Sequence, residues 1–77
     1  MSMSLVFRIE SIEPNRRVVI ENDVVEELVQ SIFRQGQLEP ILICQQGTVF
    51  RIIDGEKRWR AIKRLGRLTI LAEIEKG

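Results

Sequence analysis

The residue types best suited to chemistry fall together in Arg51-Ile52-Ile53-Asp54-Gly55-Glu56-Lys57-Arg58-Trp59-Arg60-Ala61-Ile62. The pattern reads as a buried strand, a sharp turn at Asp54 and Gly55, and a helix whose first turn is crowded with charge. Helix starts leave backbone N–H groups without intrahelical partners and carry positive partial charge, so they bind anions, phosphate above all. Gly55 would let such a ligand approach the main chain, Lys57, Arg58 and Arg60 would hold its charge, and Glu56 could address a metal ion or a water. The chemistry implied is a phosphate grip, as for a nucleotide. Asp54 as a cap and Glu56 in the first turn also have a complete structural explanation, since both suit the helix dipole. The three cations do not, because positive charge near a helix start opposes the dipole by about 0.3–1 kcal/mol per exposed residue. An anion there would resolve the conflict; pairing with Glu56 or with carboxylates elsewhere in the chain is the competing explanation.

The elements around that turn must position it. Residues 5–9 alternate loosely between apolar and charged, as a first strand does, and Glu13-Pro14-Asn15-Arg16-Arg17 reads as a loop. Val18-Val19-Ile20 is a short β-prone piece. Asn22 or Asp23 then caps a helix on which Val24, Val25, Leu28, Val29, Ile32 and Phe33 recur on one face, and Gly36 stops it. Residues 40–44 read as a strand with Pro40 tolerable at its first position, Gln45-Gln46-Gly47-Thr48 as a hairpin turn, and residues 49–53 as the returning strand. The basic helix spans about 55–65 with Trp59, Ile62 and Leu65 facing inward, Gly66 ends it, and residues 68–74 form a last strand. Strand, helix, hairpin, helix, strand predicts an α/β (α+β) fold: one domain over residues 1–77, with a small mixed sheet and two main helices packed on it.

Composition narrows the chemistry. With no histidine and a single cysteine among 77 residues, a structural zinc, histidine acid–base catalysis and a Ser-His-Asp triad are all excluded. Cys44, inside the apolar run Ile41-Leu42-Ile43-Cys44, reads as an inert strand thiol. The total charge is +1, yet Glu56 to Arg67 holds six positive side chains and one negative, a net +5 that leaves −4 for the rest. A basic helix on a mildly acidic body suits an anionic ligand or nucleic acid, although a solvated face is the ordinary reading of such charge. No apolar run approaches the ~20 residues of a membrane span, and the start lacks the features of a secretion signal. A cytoplasmic protein with no membrane partner is expected.

The same residues carry a resemblance. Gly55-Glu56-Lys57-Arg58-Trp59-Arg60-Ala61 resembles the Gly-Glu-Arg-Arg-x-Arg-Ala signature of the ParB family of chromosome and plasmid partition proteins. Ser31-Ile32-Phe33-Arg34-Gln35-Gly36-Gln37-Leu38-Glu39-Pro40-Ile41 resembles that family's Ser-Ile-x-x-x-Gly-x-x-Gln-Pro-Ile segment, at the matching distance. The resemblance implies the N-terminal domain of a ParB-like protein, with the fold shared by sulfiredoxin, binding CTP with magnesium so that two such domains engage each other around DNA. By position, Gly55, Lys57, Arg58 and Arg60 would cradle the triphosphate, Glu56 would lie at the metal and the attacking water, and Ser31, Gly36 and Pro40 would line the nucleoside side. Arg17 would match the arginine of an early Pro-Arg box. The family's DNA-reading helix-turn-helix region would follow beyond Gly77. Three positions depart from the pattern: Glu39 stands for glutamine, Lys57 for an arginine, and Cys44 where an arginine often follows the strand. A lysine keeps the charge but lacks the planar fork that grips phosphate through two bonds.

Other readings stay open on the residues alone. Another nucleoside triphosphate can replace CTP, and whether a slow CTPase step follows binding is undecided. An ATP-dependent small-molecule kinase on the same fold would use Glu56 as base, and a plain non-specific DNA-binding module would use Lys63, Arg64 and Arg67. Sulfiredoxin-type chemistry needs a cysteine in the signature turn, where this chain has Glu56.

Overall fold

The computed structural model describes residues 4–15 and 22–75. Arg17, its neighbour Arg16 and the β-prone piece at Val18-Val19-Ile20 lie outside the described residues. In order come β1 (Leu5–Arg8), a 3₁₀ turn (Ile9–Ser11), β2 (Ile12–Glu13), α1 (Asn22–Gln35), β3 (Ile41–Gln46), β4 (Val49–Asp54), α2 (Glu56–Arg64) and β5 (Thr69–Ile74). The five strands form one mixed sheet in the order β1-β5-β3-β4-β2. β1 runs antiparallel to β5 and β3 antiparallel to β4, whereas β3–β5 and β2–β4 are parallel. This is the expected α+β architecture, a small mixed sheet with two main helices.

One face of the sheet is apolar because strand side chains alternate with a period of two. Ile41, Ile43, Ile52, Ile70 and Ala72 supply that face, and Val25, Ile32, Trp59, Ala61 and Ile62 from the helices complete the buried core together with Ile9 and Ile12. Phe7 on β1 and Phe50 on β4 meet edge to face with centroids 5.2 Å apart, although two strands lie between them in the sheet. Neighbouring strands lie about 4.8 Å apart, so that contact requires the sheet to curl around the core.

Several boundaries differ from the sequence-based expectation. The first strand stops at Arg8, because Ile9 turns into the core at the head of the 3₁₀ turn, where Ser11 Oγ donates to the Arg8 carbonyl at 2.7 Å. The short strand β2 carried no recognisable pattern over its two residues. Asn22 and Asp23 stand inside the first turn of α1 rather than before it. Phe33 is 69% exposed, since one step past the buried Ile32 is a rotation of about 100° around the helix axis. β4 is buried on one face only: Ile52 is in the core while Ile53 is exposed. The register between β3 and β4 slips between Leu42 and Ile43, so that Leu42 faces Asp54, Ile43 faces Ile52 and Ile53 has no partner in that ladder. Bulges of this kind bend a strand and re-aim its end, and this one falls just before the charged turn.

Candidate functional site

The curled sheet, the bulge and the start of α2 build one site. Gly55 precedes α2 with φ +104°, a left-handed conformation that only glycine adopts without strain. A Cβ at this position would also lie 2.7 Å from Cγ2 and 2.9 Å from Cβ of Ile41, so Gly55 is required by space as well as by conformation. Asp54 does not act as the helix cap: it ends β4 opposite Leu42, and no side chain among the described residues caps α2. The first α2 hydrogen bond runs from the Trp59 N–H to the Gly55 carbonyl at 3.0 Å, leaving the N–H groups of Glu56, Lys57 and Arg58 ahead of the helical ladder.

A cavity of about 340 Å³ opens at this uncapped turn, lined by Asn15, Leu28, Ile52, Ile53, Asp54, Gly55, Glu56, Lys57 and Arg58. Glu56 is only 6% exposed, an unusual place for a carboxylate. Its Oε2 accepts from the Asn15 N–H at 3.2 Å, while Oε1 has no hydrogen-bond partner among the described residues. A buried carboxylate oxygen without a donor is costly unless a ligand satisfies it. A second cavity of about 220 Å³ is lined by Leu28, Ser31, Ile32, Gly36, Gln37, Leu38, Glu39 and Arg58. Leu28 and Arg58 belong to both walls.

The structure thus brings Gly55, Glu56, Lys57 and Arg58 together at one cavity, and Ser31 and Gly36 with Arg58 at the other. Pro40 and Arg60 line neither of these two cavities. Sequence reasoning did not find Asn15, Leu28 or Gln37, none of which carried a motif. Gln37 turns out to anchor the loop before β3: its Nε2 donates to the carbonyls of Leu71 and Glu39, both at 2.9 Å, and its Oε1 accepts from the Leu71 N–H at 2.8 Å. The side-chain amide therefore pairs with β5 just as a strand residue would.

The cations of α2, with Arg67 just beyond it, fall into two groups. Arg58 pairs with Glu39 at 2.9 Å, Arg64 pairs with Glu26 at 3.0 Å, and the Lys63 ammonium stands 4.8 Å from the centre of the Trp59 ring. Lys57, Arg60 and Arg67 make no ion pair among the described residues. Pairing with a distant carboxylate, the competing explanation for cations at the helix start, therefore holds for Arg58 and, among the described residues, not for Lys57 or Arg60. Among the described residues no group of three or more His, Cys, Asp or Glu side chains could hold a metal ion by itself. Magnesium is commonly held by one or two carboxylates together with ligand phosphates, and the spare oxygen of Glu56 fits that mode. Among the described residues no helix is long and apolar enough to cross a membrane.

Both the sequence and the fold recur in known proteins. The family model described as ParB N-terminal domain matches residues 5–76. A nucleoid occlusion protein of a Geobacillus species is 39% identical over 72 residues, covering 87% of this chain and 25% of its own length. The chain thus spans about a quarter of that relative. The C-terminally truncated chromosome-partitioning protein ParB of Caulobacter crescentus, complexed with CTP-gamma-S, superposes with a TM-score of 0.86 at 30% identity, over 97% of this chain and 45% of that one. Sulfiredoxin of Arabidopsis thaliana superposes with a TM-score of 0.87 at 28% identity, over 97% and 86% of the two chains.

Proposed function

The chain belongs to the ParB N-terminal domain family, and from that premise we propose that it binds CTP with magnesium at the start of α2. In this reading it is the nucleotide-responsive part of a longer partition or nucleoid-occlusion protein that acts on DNA in the cytoplasm. The observation that carries the proposal is the first turn of α2, uncapped among the described residues, opening on a cavity beside Lys57, Arg58 and the Oε1 of buried Glu56, which has no hydrogen-bond partner among those residues. The main-chain N–H groups after Gly55 receive phosphate oxygens, which approach closely because there is no Cβ in the way. Lys57, Arg58 and Arg60 neutralise the triphosphate, Arg58 through the planar fork of its guanidinium. Glu56 offers Oε1 to magnesium or to an attacking water. The smaller cavity, with Ser31 and Gly36 on its wall and Pro40 at the end of the same loop, takes the nucleoside. Magnesium, when bound, supplies the charge neutralisation that one carboxylate and three cations leave incomplete.

Cys44 sits on β3 opposite Arg51 and lines neither cavity, so nothing at the site favours sulfiredoxin-type chemistry. The plain DNA-binding reading is weakened by the engagement of Arg64 with Glu26 and of Lys63 with Trp59. In the whole protein we assign DNA as a further partner and nucleotide-driven pairing of two N-terminal domains as the response.

Calorimetric titration of the chain with CTP, ATP and GTP, each with magnesium, tests the proposal. CTP should bind more tightly than the other two. Preference for ATP would replace this reading by the kinase alternative, and a folded chain that binds none of the three would overturn it. Glu56→Gln should keep the helical circular dichroism and lose the magnesium-dependent part of the affinity; an unchanged magnesium dependence would show that Glu56 does not serve the metal.

A further inference from the structure

Arg58 stands on the wall between the two cavities, and a carboxylate of the chain itself already occupies it. Glu39 Oε2 accepts from Arg58 Nη2 at 2.9 Å, in a pair whose side chains are 72% and 31% exposed respectively. Glu39 is not loosely placed. Its carbonyl is held by Gln37 Nε2, Gln37 is in turn clamped to both main-chain groups of Leu71, and Pro40 follows with its restricted φ. We propose that Glu39 is a built-in competitor for the phosphate-gripping guanidinium, setting how tightly this site holds a polyanion. The inference rests on the nucleotide reading of the site.

The physical argument is one of exchange. A phosphate oxygen arriving at Arg58 meets a donor already in use and a negative charge beside it, so Glu39 must release Arg58 or share it. Arg58 carries five N–H donors and Glu39 takes one in this arrangement, so sharing is geometrically open but electrostatically opposed. Because the pair is solvent-exposed, breaking it weakens binding only modestly, by about two- to fivefold. Glu39 therefore tunes the affinity instead of blocking the site. With the carboxylate displaced by ligand, the charge at the tip of the Gly36–Pro40 loop turns from neutralised to free.

Glu39→Gln keeps the size of the side chain and removes its charge. The wild-type chain and this variant should be titrated with CTP plus magnesium and, separately, with inorganic tripolyphosphate, after circular dichroism has shown both folded. The expected result is a two- to fivefold tighter dissociation constant for both probes, since the competition concerns the phosphate grip that they share. A change confined to CTP would make Glu39 a nucleoside contact and overturn the proposal. Equal affinities in the two chains would overturn it and leave the nucleotide reading standing. A gain for tripolyphosphate, with CTP bound no better than tripolyphosphate itself, would uphold the competition and remove the nucleoside. Failure of both chains to bind either probe overturns both.

Discussion

The two ends of α2 are equally basic in sequence and physically unlike in structure. At the C-terminal end, Lys63 and Arg64 stand where the helix dipole favours cations, and each has an internal partner, Trp59 for one and Glu26 for the other. At the N-terminal end the dipole opposes cations, a cavity opens, and among the described residues no side chain caps the helix and one buried carboxylate oxygen has no donor. Charge density alone does not distinguish the two ends. The cations do not make the difference, since Arg58 is paired with Glu39; it lies in the first main-chain N–H groups, which stand ahead of the helical ladder, and in Glu56 Oε1, which has no partner among the described residues.

The glycines that bound the helix make the sharpest test of that contrast. Gly55→Ala should destabilise the chain by about 3 kcal/mol, from left-handed strain together with the collision against Ile41. Urea denaturation would show it, and a loss under ~1 kcal/mol would mean that the close approach to Ile41 relaxes. Next in size, Arg58→Ala should weaken CTP binding tenfold or more, the scale of a charge-assisted hydrogen bond lost to phosphate, with circular dichroism unchanged. Unaltered affinity in a folded variant would dissolve the distinction between the two ends. Gly66→Ala should cost only about 1 kcal/mol in the same denaturation experiment: its φ is also positive, at +76°, but a Cβ there would meet nothing within 4 Å. Smallest of all, Arg64→Ala should lose less than ~1 kcal/mol of stability and leave nucleotide affinity where it was, because its ion pair with Glu26 is exposed and lies away from both cavities. A large effect of Arg64→Ala on binding would return the basic C-terminal end to consideration as a ligand surface.

The helices and the hairpin were legible because their signals are local. Apolar residues at helical spacing marked α1 and α2, a glycine followed each of them, and Gly47 marked the turn between β3 and β4. The site turn was legible for the same reason, since Gly55, Glu56, Lys57 and Arg58 are consecutive. The boundary errors fell where a tertiary contact outweighs local preference. Ile9 leaves its strand for the core, Ile53 bulges out of the ladder, and Asp54 pairs across the sheet where a cap was expected.

By itself the amino-acid sequence determined the periodicities that make two amphipathic helices and a half-buried sheet, the absence of any histidine, and the run of charges after Gly55. Each of these is a property of neighbouring residues and needs no fold to state. Tertiary structure alone decided which charges are spoken for. Glu39 reaches Arg58 across 19 positions, Arg64 reaches Glu26 across 38, and the Asn15 N–H reaches Glu56 across 41. Contacts at such separations depend on how the sheet curls and how the helices lie on it, and composition and spacing along the chain carry no record of that.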